Sequence, residues 1–168
     1  LSKVHARFSQ RNDRIYVEDN GSLNGIFLRV RGESELKNND LIRAGDHYFL
    51  FEVYDDSLFG VEFQTEFYAS PRQGIRFRLV EILAGGLRGR ACCLPSTRLS
   101  VGSRDADFLF PDDPYISPLH FSVEWKKNGA VLEDHGSRNG VFLRIHEAKA
   151  LQHGDMLFLG DELVQVNL

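Results

Sequence analysis

The sequence predicts an all-β fold of the sandwich class. Short runs of β-branched and aromatic residues recur along the chain, separated by clusters of Gly, Pro, Asp, Asn and Ser. Many of these runs alternate apolar and polar residues, which is the pattern of a strand with one buried face. No stretch repeats apolar residues convincingly at the helical period. With 42% hydrophobic residues and 13 Phe, the chain can build packed cores, and many short strands favour a sandwich.

An internal duplication divides the chain. Residues 1–53 align without a gap with 116–168, and 15 of these 53 pairs are identical. Chance alone gives about 3 identities in such an alignment, and a repeat of this length indicates tandem domains, not a solenoid of short units. We therefore expect two domains of one type, at 1–54 and 75–168.

The first copy contains five predicted strand segments. They lie at 4–8, 15–18, 26–30, 41–42 and 48–54. Turn-forming and breaker residues gather at 55–57 and again at 69–74, so we place a linker at 55–74. Three aromatic residues of this linker, Phe63, Phe67 and Tyr68, are expected to dock it onto one domain or to join the two domains.

The second unit has extra strands ahead of its duplicated part. Its predicted segments lie at 76–83, 91–94, 99–102 and 108–110, with turns at 84–89 and 111–114. The 41 residues 75–115 have no counterpart ahead of the first copy. A sandwich without these strands would leave a core face bare and its edges unpaired. We therefore expect the first domain to be completed by upstream residues, by a partner domain or by a second chain.

The most similar segments of the two copies are Glu18–Arg29 and Glu133–Arg144. Both are rich in Asp, Gly, Ser and Asn and lie between strand segments, so each forms a tight loop that joins two strands. Each loop holds a Ser hydroxyl and an Asn amide, which can bond either the backbone or a ligand. These residues are Ser22 and Asn24 in the first copy, and Ser137 and Asn139 in the second.

Composition argues against several functions. A net charge of −4 gives no basic footprint for nucleic acid, and no apolar run approaches the roughly 20 residues that span a bilayer. The His and Cys residues show no metal-ligand spacing, and no nucleophile shares a motif with a base, so we expect no metal, cofactor or catalysis. Cys92 and Cys93 are adjacent, which disfavours a disulfide between them, and reduced thiols fit a cytoplasmic protein.

Motifs in both copies resemble the forkhead-associated (FHA) family. The second copy carries Gly102, Ser117-Pro118-Leu119-His120, Ser137-Arg138-Asn139-Gly140, Leu151-Gln152-His153-Gly154-Asp155 and Gly160. The first carries Ser2-Lys3-Val4-His5, Ser22-Leu23-Asn24-Gly25, Leu36-Lys37-Asn38-Asn39-Asp40 and Gly45. The resemblance is to tandem FHA domains of the bacterial type, the first truncated at its N-terminus. It implies eleven-stranded β-sandwiches that bind phosphothreonine peptides of kinase substrates in signalling.

The resemblance also implies roles for individual residues. Ser2 and Ser117 would hydrogen-bond the phosphate, with Lys3, Arg138 and Arg104 as neighbouring cations. Asn24 and Asn139 would bond the peptide backbone, the alternative being that they only close their own turns. His5, His120, Ser22 and Ser137 would be structural braces.

The second copy departs from the family pattern near the phosphate position. Ser103 stands where the family has Arg, and Pro118 stands where a basic residue is expected. Four carboxylates lie in the same region and would oppose a phosphate, although Asp in loops commonly forms turns. They are Asp105, Asp107, Asp112 and Asp113. We therefore expect the first domain to bind phosphate more strongly than the second, with Arg104 and Arg138 as the opposing evidence.

Two functions fit these observations. The first is a phosphothreonine-dependent interaction module in signalling. The alternative is a degenerate FHA-like scaffold that binds a partner protein independently of phosphate. Titration of phosphothreonine peptides against their unphosphorylated counterparts separates the two.

Overall fold

The computed structural model describes residues 5–54 and 74–168, which are built almost entirely from β-strands. The all-β prediction is confirmed. Ser2, Lys3 and the linker aromatics Phe63, Phe67 and Tyr68 lie outside the described residues.

Sixteen strands lie within the described ranges. The first copy contributes β1 (Ala6–Arg11), β2 (Arg14–Asp19), β3 (Ile26–Arg29), β4 (Glu33–Leu36), β5 (Leu41–Ala44) and β6 (His47–Val53). The second unit contributes β7 (Phe77–Ile82), β8 (Arg88–Cys92), β9 (Arg98–Gly102), β10 (Phe108–Leu109), β11 (Phe121–Lys126), β12 (Gly129–Asp134), β13 (Val141–Arg144), β14 (Lys149–Ala150), β15 (Met156–Leu159) and β16 (Glu162–Gln165). A 3-10 turn at Ala84–Gly86 joins β7 to β8.

Alternating burial shows why these segments form strands. In β6, Phe49 and Phe51 are fully buried, whereas the residues between and beside them are partly exposed. In β9, Leu99 and Val101 alternate with less buried residues in the same way. Successive side chains of a strand point to opposite faces, so a period of two places one set in the core.

The strands form three sheets. The first has the order β1-β2-β14, the second β10-β9-β11-β12-β4, and the third β16-β15-β3-β13-β5-β6-β7-β8. Two hydrophobic cores lie between them. The larger core packs the second sheet against the β13-to-β7 part of the third, and the smaller core packs the first sheet against β3 and β15.

Strands are exchanged between the two copies. After β3, the first copy continues into β4, which pairs with β12 of the second copy, and into β5 and β6, which pair with β13 and β7. After β13, the second copy continues into β14, which pairs with β2 of the first, and into β15, which pairs with β3. Each sandwich therefore combines both copies, which the sequence analysis did not predict. The division into tandem domains at 55–74 stays a prediction.

The exchange has an approximate twofold symmetry centred on the antiparallel pair β3 and β13. Leu28 lies opposite Leu143, its own counterpart in the duplication, and Phe27 lies opposite Arg144 as Arg29 lies opposite Phe142. Two side-chain contacts repeat this symmetry, because each joins one copy to the equivalent carboxylate of the other. They are the ion pair of Arg31 Nη2 with Asp155 Oδ1 at 2.6 Å and the hydrogen bond of His146 Nε2 with Asp40 Oδ1 at 3.0 Å.

The smaller sandwich is less covered than the larger one. Phe8 of β1 is 51% exposed, whereas its counterpart Val123 is fully buried under β9. Val164 of β16 is 36% exposed, whereas its counterpart Phe49 is fully buried. In the larger sandwich, β9 pairs with the outer edge of β11, and β7 pairs with the outer edge of β6. In the smaller sandwich, no described strand pairs with the corresponding edges of β1 and β16. Completion of this sandwich by further strands stays a prediction.

Amide hydrogen exchange tests the open edge of β16. Strand β6 is paired on both sides, whereas β16 pairs only with β15 in the described part of the chain. We expect the β6 amides to exchange slowly and about half of the β16 amides to exchange at rates near those of an unpaired chain, because an edge strand leaves alternate N–H groups unbonded. Uniform protection of both strands would contradict the open edge.

Candidate functional site

Two loops meet at one end of the larger sandwich. The loop before β11 carries Ser117, and the loop between β12 and β13 carries Arg138 and Asn139. Ser117 Oγ accepts a hydrogen bond from the backbone N–H of Arg138 at 3.1 Å, and Asn139 Nδ2 donates to the carbonyl of Tyr115 at 2.9 Å. The structure therefore brings together three residues that the sequence analysis selected as ligand-binding.

His120 ties the two loops together. The ring is fully buried, its Nδ1 accepts from the backbone N–H of Ser117 at 2.9 Å, and its Nε2 lies 3.2 Å from the carbonyl of Gly140. One neutral tautomer, protonated on Nε2, satisfies both bonds. Burial lowers the pKa of His120 from its usual value, which favours that neutral state. His5 makes the equivalent bond in the first copy, from Nε2 to the carbonyl of Gly25 at 3.0 Å.

The Ser-x-Asn-Gly turns have related internal bonds. The N–H of Ser22 donates to Asp19 Oδ1 at 2.9 Å, and the N–H of Ser137 donates to Asp134 Oδ1 at 2.8 Å. Ser22 Oγ also accepts from the N–H of Gly25 at 3.0 Å. Ser137 Oγ is buried, and the described residues offer it no hydrogen bond. The two copies therefore differ in the hydrogen bonding of this serine hydroxyl.

Each turn is packed against an arginine of the other copy. Gly25 and Gly140 have φ of +80° and +82°, and a Cβ there would lie 2.3 Å from Arg144 Nε and 2.4 Å from Arg29 Nε, respectively. Only glycine combines this backbone conformation with so close an approach. The exchange of strands therefore also determines which arginine packs beneath each loop.

Backbone bonds join the loop after β9 to the Ser117 loop. The N–H of Ser103 donates to the carbonyl of Ser117 at 3.0 Å, and the N–H of Arg104 donates to that of Pro118 at 3.2 Å. A Cβ at Gly102 would lie only 2.1 Å from the Pro118 oxygen, so glycine is required there. The Arg104 side chain points outward and approaches the equally exposed carboxylate of Asp105 no closer than 3.9 Å.

A family model described as FHA domain matches residues 1–45 and 98–160, which is more than half of the chain. The chain belongs to the FHA-domain family. No curated protein and no solved structure matches it. FHA domains are interaction domains of signalling proteins that bind phosphorylated peptides. The matched ranges include both Ser-x-x-His and both Ser-x-Asn-Gly motifs.

The FHA motifs of the first copy are described only in part. Asn24 and Leu23 are exposed at the tip of the turn, but Ser2 and Lys3 lie outside residues 5–54 and 74–168. The predicted ranking of the two FHA sites is therefore still a prediction. No helix in the described part of the chain is long and apolar enough to cross a membrane.

Two of the four loop carboxylates near the second FHA site are held by hydrogen bonds within the protein. Asp107 Oδ2 accepts from the N–H and the hydroxyl of Ser100 at 2.8 and 2.6 Å. Asp113, whose side chain is 5% exposed, accepts from the N–H of Tyr115 at 2.7 Å and from that of Asp46 at 3.1 Å. Hydrogen bonds therefore hold both side chains within the loops, but only Asp113 is also shielded from solvent, because Asp105, Asp107 and Asp112 are exposed residues.

Sequence analysis missed the contribution of the first copy to this FHA site. The turn between β5 and β6 places Asp46 in the lining of a pocket of about 320 Å³ that Asn139 also lines. The pocket is lined by Arg43, Gly45, Asp46, Tyr115, Asn139, Gly140, Phe142, Phe158 and Leu163. In the sequence, only the duplicated Gly-Asp pair at 45–46 and 160–161 pointed to this turn. The pocket itself could not be predicted, because the first copy and the second copy each supply part of its lining.

The neutral state of His120 predicts acid sensitivity. Its pKa is lower in the folded chain than in the unfolded chain, where it is about 6.5. The unfolded state therefore takes up protons first, and this contribution to stability is present above pH ~6.5 and is lost as the pH falls. We expect His120→Gln to flatten the decrease of the free energy of unfolding between pH 7.5 and 5.5, measured in urea. His153→Gln, at an exposed histidine, is the control. An unchanged pH slope in His120→Gln would contradict the assignment.

Proposed function

We propose that the loop pair of the larger sandwich binds phosphothreonine peptides in signalling. The observation that carries this proposal is the unused hydrogen-bonding capacity of the Ser117 hydroxyl and the Arg138 guanidinium. Ser117 Oγ accepts the Arg138 N–H, and its own O–H has no acceptor among the described residues. The Arg138 guanidinium is exposed and makes no hydrogen bond or ion pair within residues 5–54 and 74–168. A hydroxyl donor and an exposed cation thus belong to two residues that a hydrogen bond joins.

Phosphate chemistry suits this pair. A phosphothreonine carries about −1.5 to −2 charge at pH 7 and three strong acceptor oxygens. Hydrogen bonds from cations to phosphate are short and strong, and a guanidinium can donate two in parallel. Arg104 lies on the adjacent loop, and its contact with Asp105 is long and exposed, so it is free to turn toward a bound phosphate.

Asn139 fits a role in holding the peptide backbone. One N–H of its amide donates to the Tyr115 carbonyl, which fixes the side chain and leaves its second N–H and its Oδ1 for a ligand. A peptide backbone offers the matching carbonyl and N–H. Asn139 therefore joins its own turn to the loop before β11 and remains available to a ligand.

The partner of the smaller sandwich is a second part of the proposal. Exposed Phe8 and Val164, together with the open edges of β1 and β16, support completion by β-strands of a partner domain or a second chain. Binding of such a partner would protect the β1 and β16 amides from exchange. A partner that binds without protecting them would contradict this part.

Substitutions at the loop pair test phosphate recognition. Loss of a charged hydrogen bond costs about 1.5–3 kcal/mol, so Ser117→Ala and Arg138→Ala should each weaken phosphothreonine-peptide binding roughly tenfold or more. Lys127→Ala, an exposed cation in the β11–β12 turn at the other end of β12, is the matched control. Isothermal titration with phosphorylated and unphosphorylated forms of each peptide gives the measurement.

The outcomes separate the alternatives. Equal affinity for both forms of a peptide would favour a scaffold that binds independently of phosphate. Binding that is abolished by Ser2→Ala but unchanged by Ser117→Ala would assign phosphate recognition to the first copy, in accordance with the ranking predicted from the sequence.

A further inference from the structure

A histidine of the first copy lies between two carboxylates of the second unit. His47 Nδ1 is 2.9 Å from Glu81 Oε1, and its Nε2 is 3.4 Å from Asp113 Oδ2. Both carboxylate side chains are nearly buried, at 8% and 5% exposure. The imidazole also packs on the Phe110 ring, with centroids 4.3 Å apart. The strand exchange creates this arrangement, because His47 begins β6 and the carboxylates lie on β7 and on the loop before β11.

Asp113 connects this histidine to the proposed peptide site. Its Oδ2 accepts from the backbone N–H of Asp46, and its Oδ1 accepts from that of Tyr115. A Cβ at Gly45 would come within 2.5 Å of the same Oδ2, so the carboxylate rests directly against the turn of the first copy. One side chain therefore fixes the positions of two backbone segments.

Tyr115 carries the connection to Asn139. Its N–H is held by Asp113 at 2.7 Å, and its carbonyl accepts from Asn139 Nδ2 at 2.9 Å. A continuous path of contacts thus runs from His47 through Asp113 and Tyr115 to the amide that is proposed to bond the peptide. A shift of Asp113 displaces the peptide unit that orients Asn139.

The protonation state of His47 decides how many of its contacts are hydrogen bonds. A neutral imidazole has one N–H, but both ring nitrogens of His47 face carboxylate oxygens, so only one contact can be a hydrogen bond in that state. An imidazolium donates to both carboxylates. Glu81 also faces a guanidinium, because Arg90 Nε is 3.2 Å from Glu81 Oε2. Asp113 makes no ion pair with Arg or Lys within the described residues, so an imidazolium at His47 places a cation beside this carboxylate.

We propose that His47 is a positioning residue for the peptide site of the second copy, acting through Asp113 and Tyr115 on Asn139. Its protonation tightens the loop before β11 and thereby strengthens peptide binding. The first copy has no such path among the described residues, because the counterpart of His47 in β16 is the exposed Glu162. The inference gives the proposed function a dependence on pH at one site.

The free protein supplies a test that needs no peptide. In NMR spectra recorded from pH 8 to pH 5.5, the backbone amide of Tyr115 and the side-chain amide of Asn139 should shift with the same midpoint as the His47 ring. In His47→Phe, which retains a ring against Phe110, both shifts with that midpoint should disappear. Glu162→Ala, at the equivalent position of the other copy, should retain them. Amide signals that do not follow the His47 ring overturn the inference, and this wild-type titration does not depend on whether the variant folds.

A binding measurement separates this inference from the proposed function. The probe is a phosphothreonine peptide selected from a library with random flanking residues. For the wild type we expect affinity to rise about threefold or more when the pH is lowered through the midpoint that NMR measures for the His47 ring. His47→Phe should abolish this rise and lower affinity below that midpoint by a similar factor. A variant with wild-type affinity on both sides of the midpoint overturns the inference, whereas a wild type that binds no phosphopeptide overturns the proposed function.

Discussion

The antiparallel pairing of β3 with β13 is the constraint on which the rest of the structure depends. Leu28 lies opposite its own counterpart Leu143, so the two copies are related by an approximate twofold axis at this pairing. After the paired strand, each copy continues into the sandwich that contains the first strands of the other copy. The two sandwiches that result are unequal. Phe49 and Phe51 of the first copy enter the larger core, whereas their smaller counterparts Val164 and Val166 stay with the less covered one. Burial of larger apolar side chains in the complete core favours this exchange by roughly 1 kcal/mol per position.

The exchange makes the FHA site of the second copy a product of both copies. The β5–β6 turn of the first copy lies against Asp113, and Arg29 of the first copy lies beneath Gly140. These contacts hold the loops by packing and by hydrogen bonds to backbone, while Arg104 and Arg138 stay exposed at the surface. Such an arrangement suits binding, because a preorganised site loses less conformational entropy when a peptide binds. Residues that hold the loops and residues that are proposed to bind the peptide are thus different residues of the same short segments.

The sequence predicted the fold class and the residues of the loops, because these depend on local chemistry. Period-two runs predicted the long strands, and Gly, Asn and Ser predicted the turns around Asn24 and Asn139. The short strand β4, with only Leu36 buried, carries no such pattern and was missed. The exchange was missed for a physical reason: residues 115 positions apart have similar side chains, so each copy fits the partner strands of the other. For Asp113 the sequence left open whether it repels phosphate or forms a turn, and its contacts with Asp46 and Tyr115 favour the turn.

A comparison of two truncations tests the exchange most directly. Phe49 is fully buried among Phe108, Phe110 and Phe121, with centroids 5.2–6.0 Å away, so Phe49→Ala should lower the free energy of unfolding by about 3–5 kcal/mol. Val164 is 36% exposed, so Val164→Ala should cost less than about 1 kcal/mol. Without the exchange, Val164 would occupy the position beside Phe121. Urea unfolding that shows a loss from Val164→Ala equal to or larger than that from Phe49→Ala would contradict the exchanged arrangement.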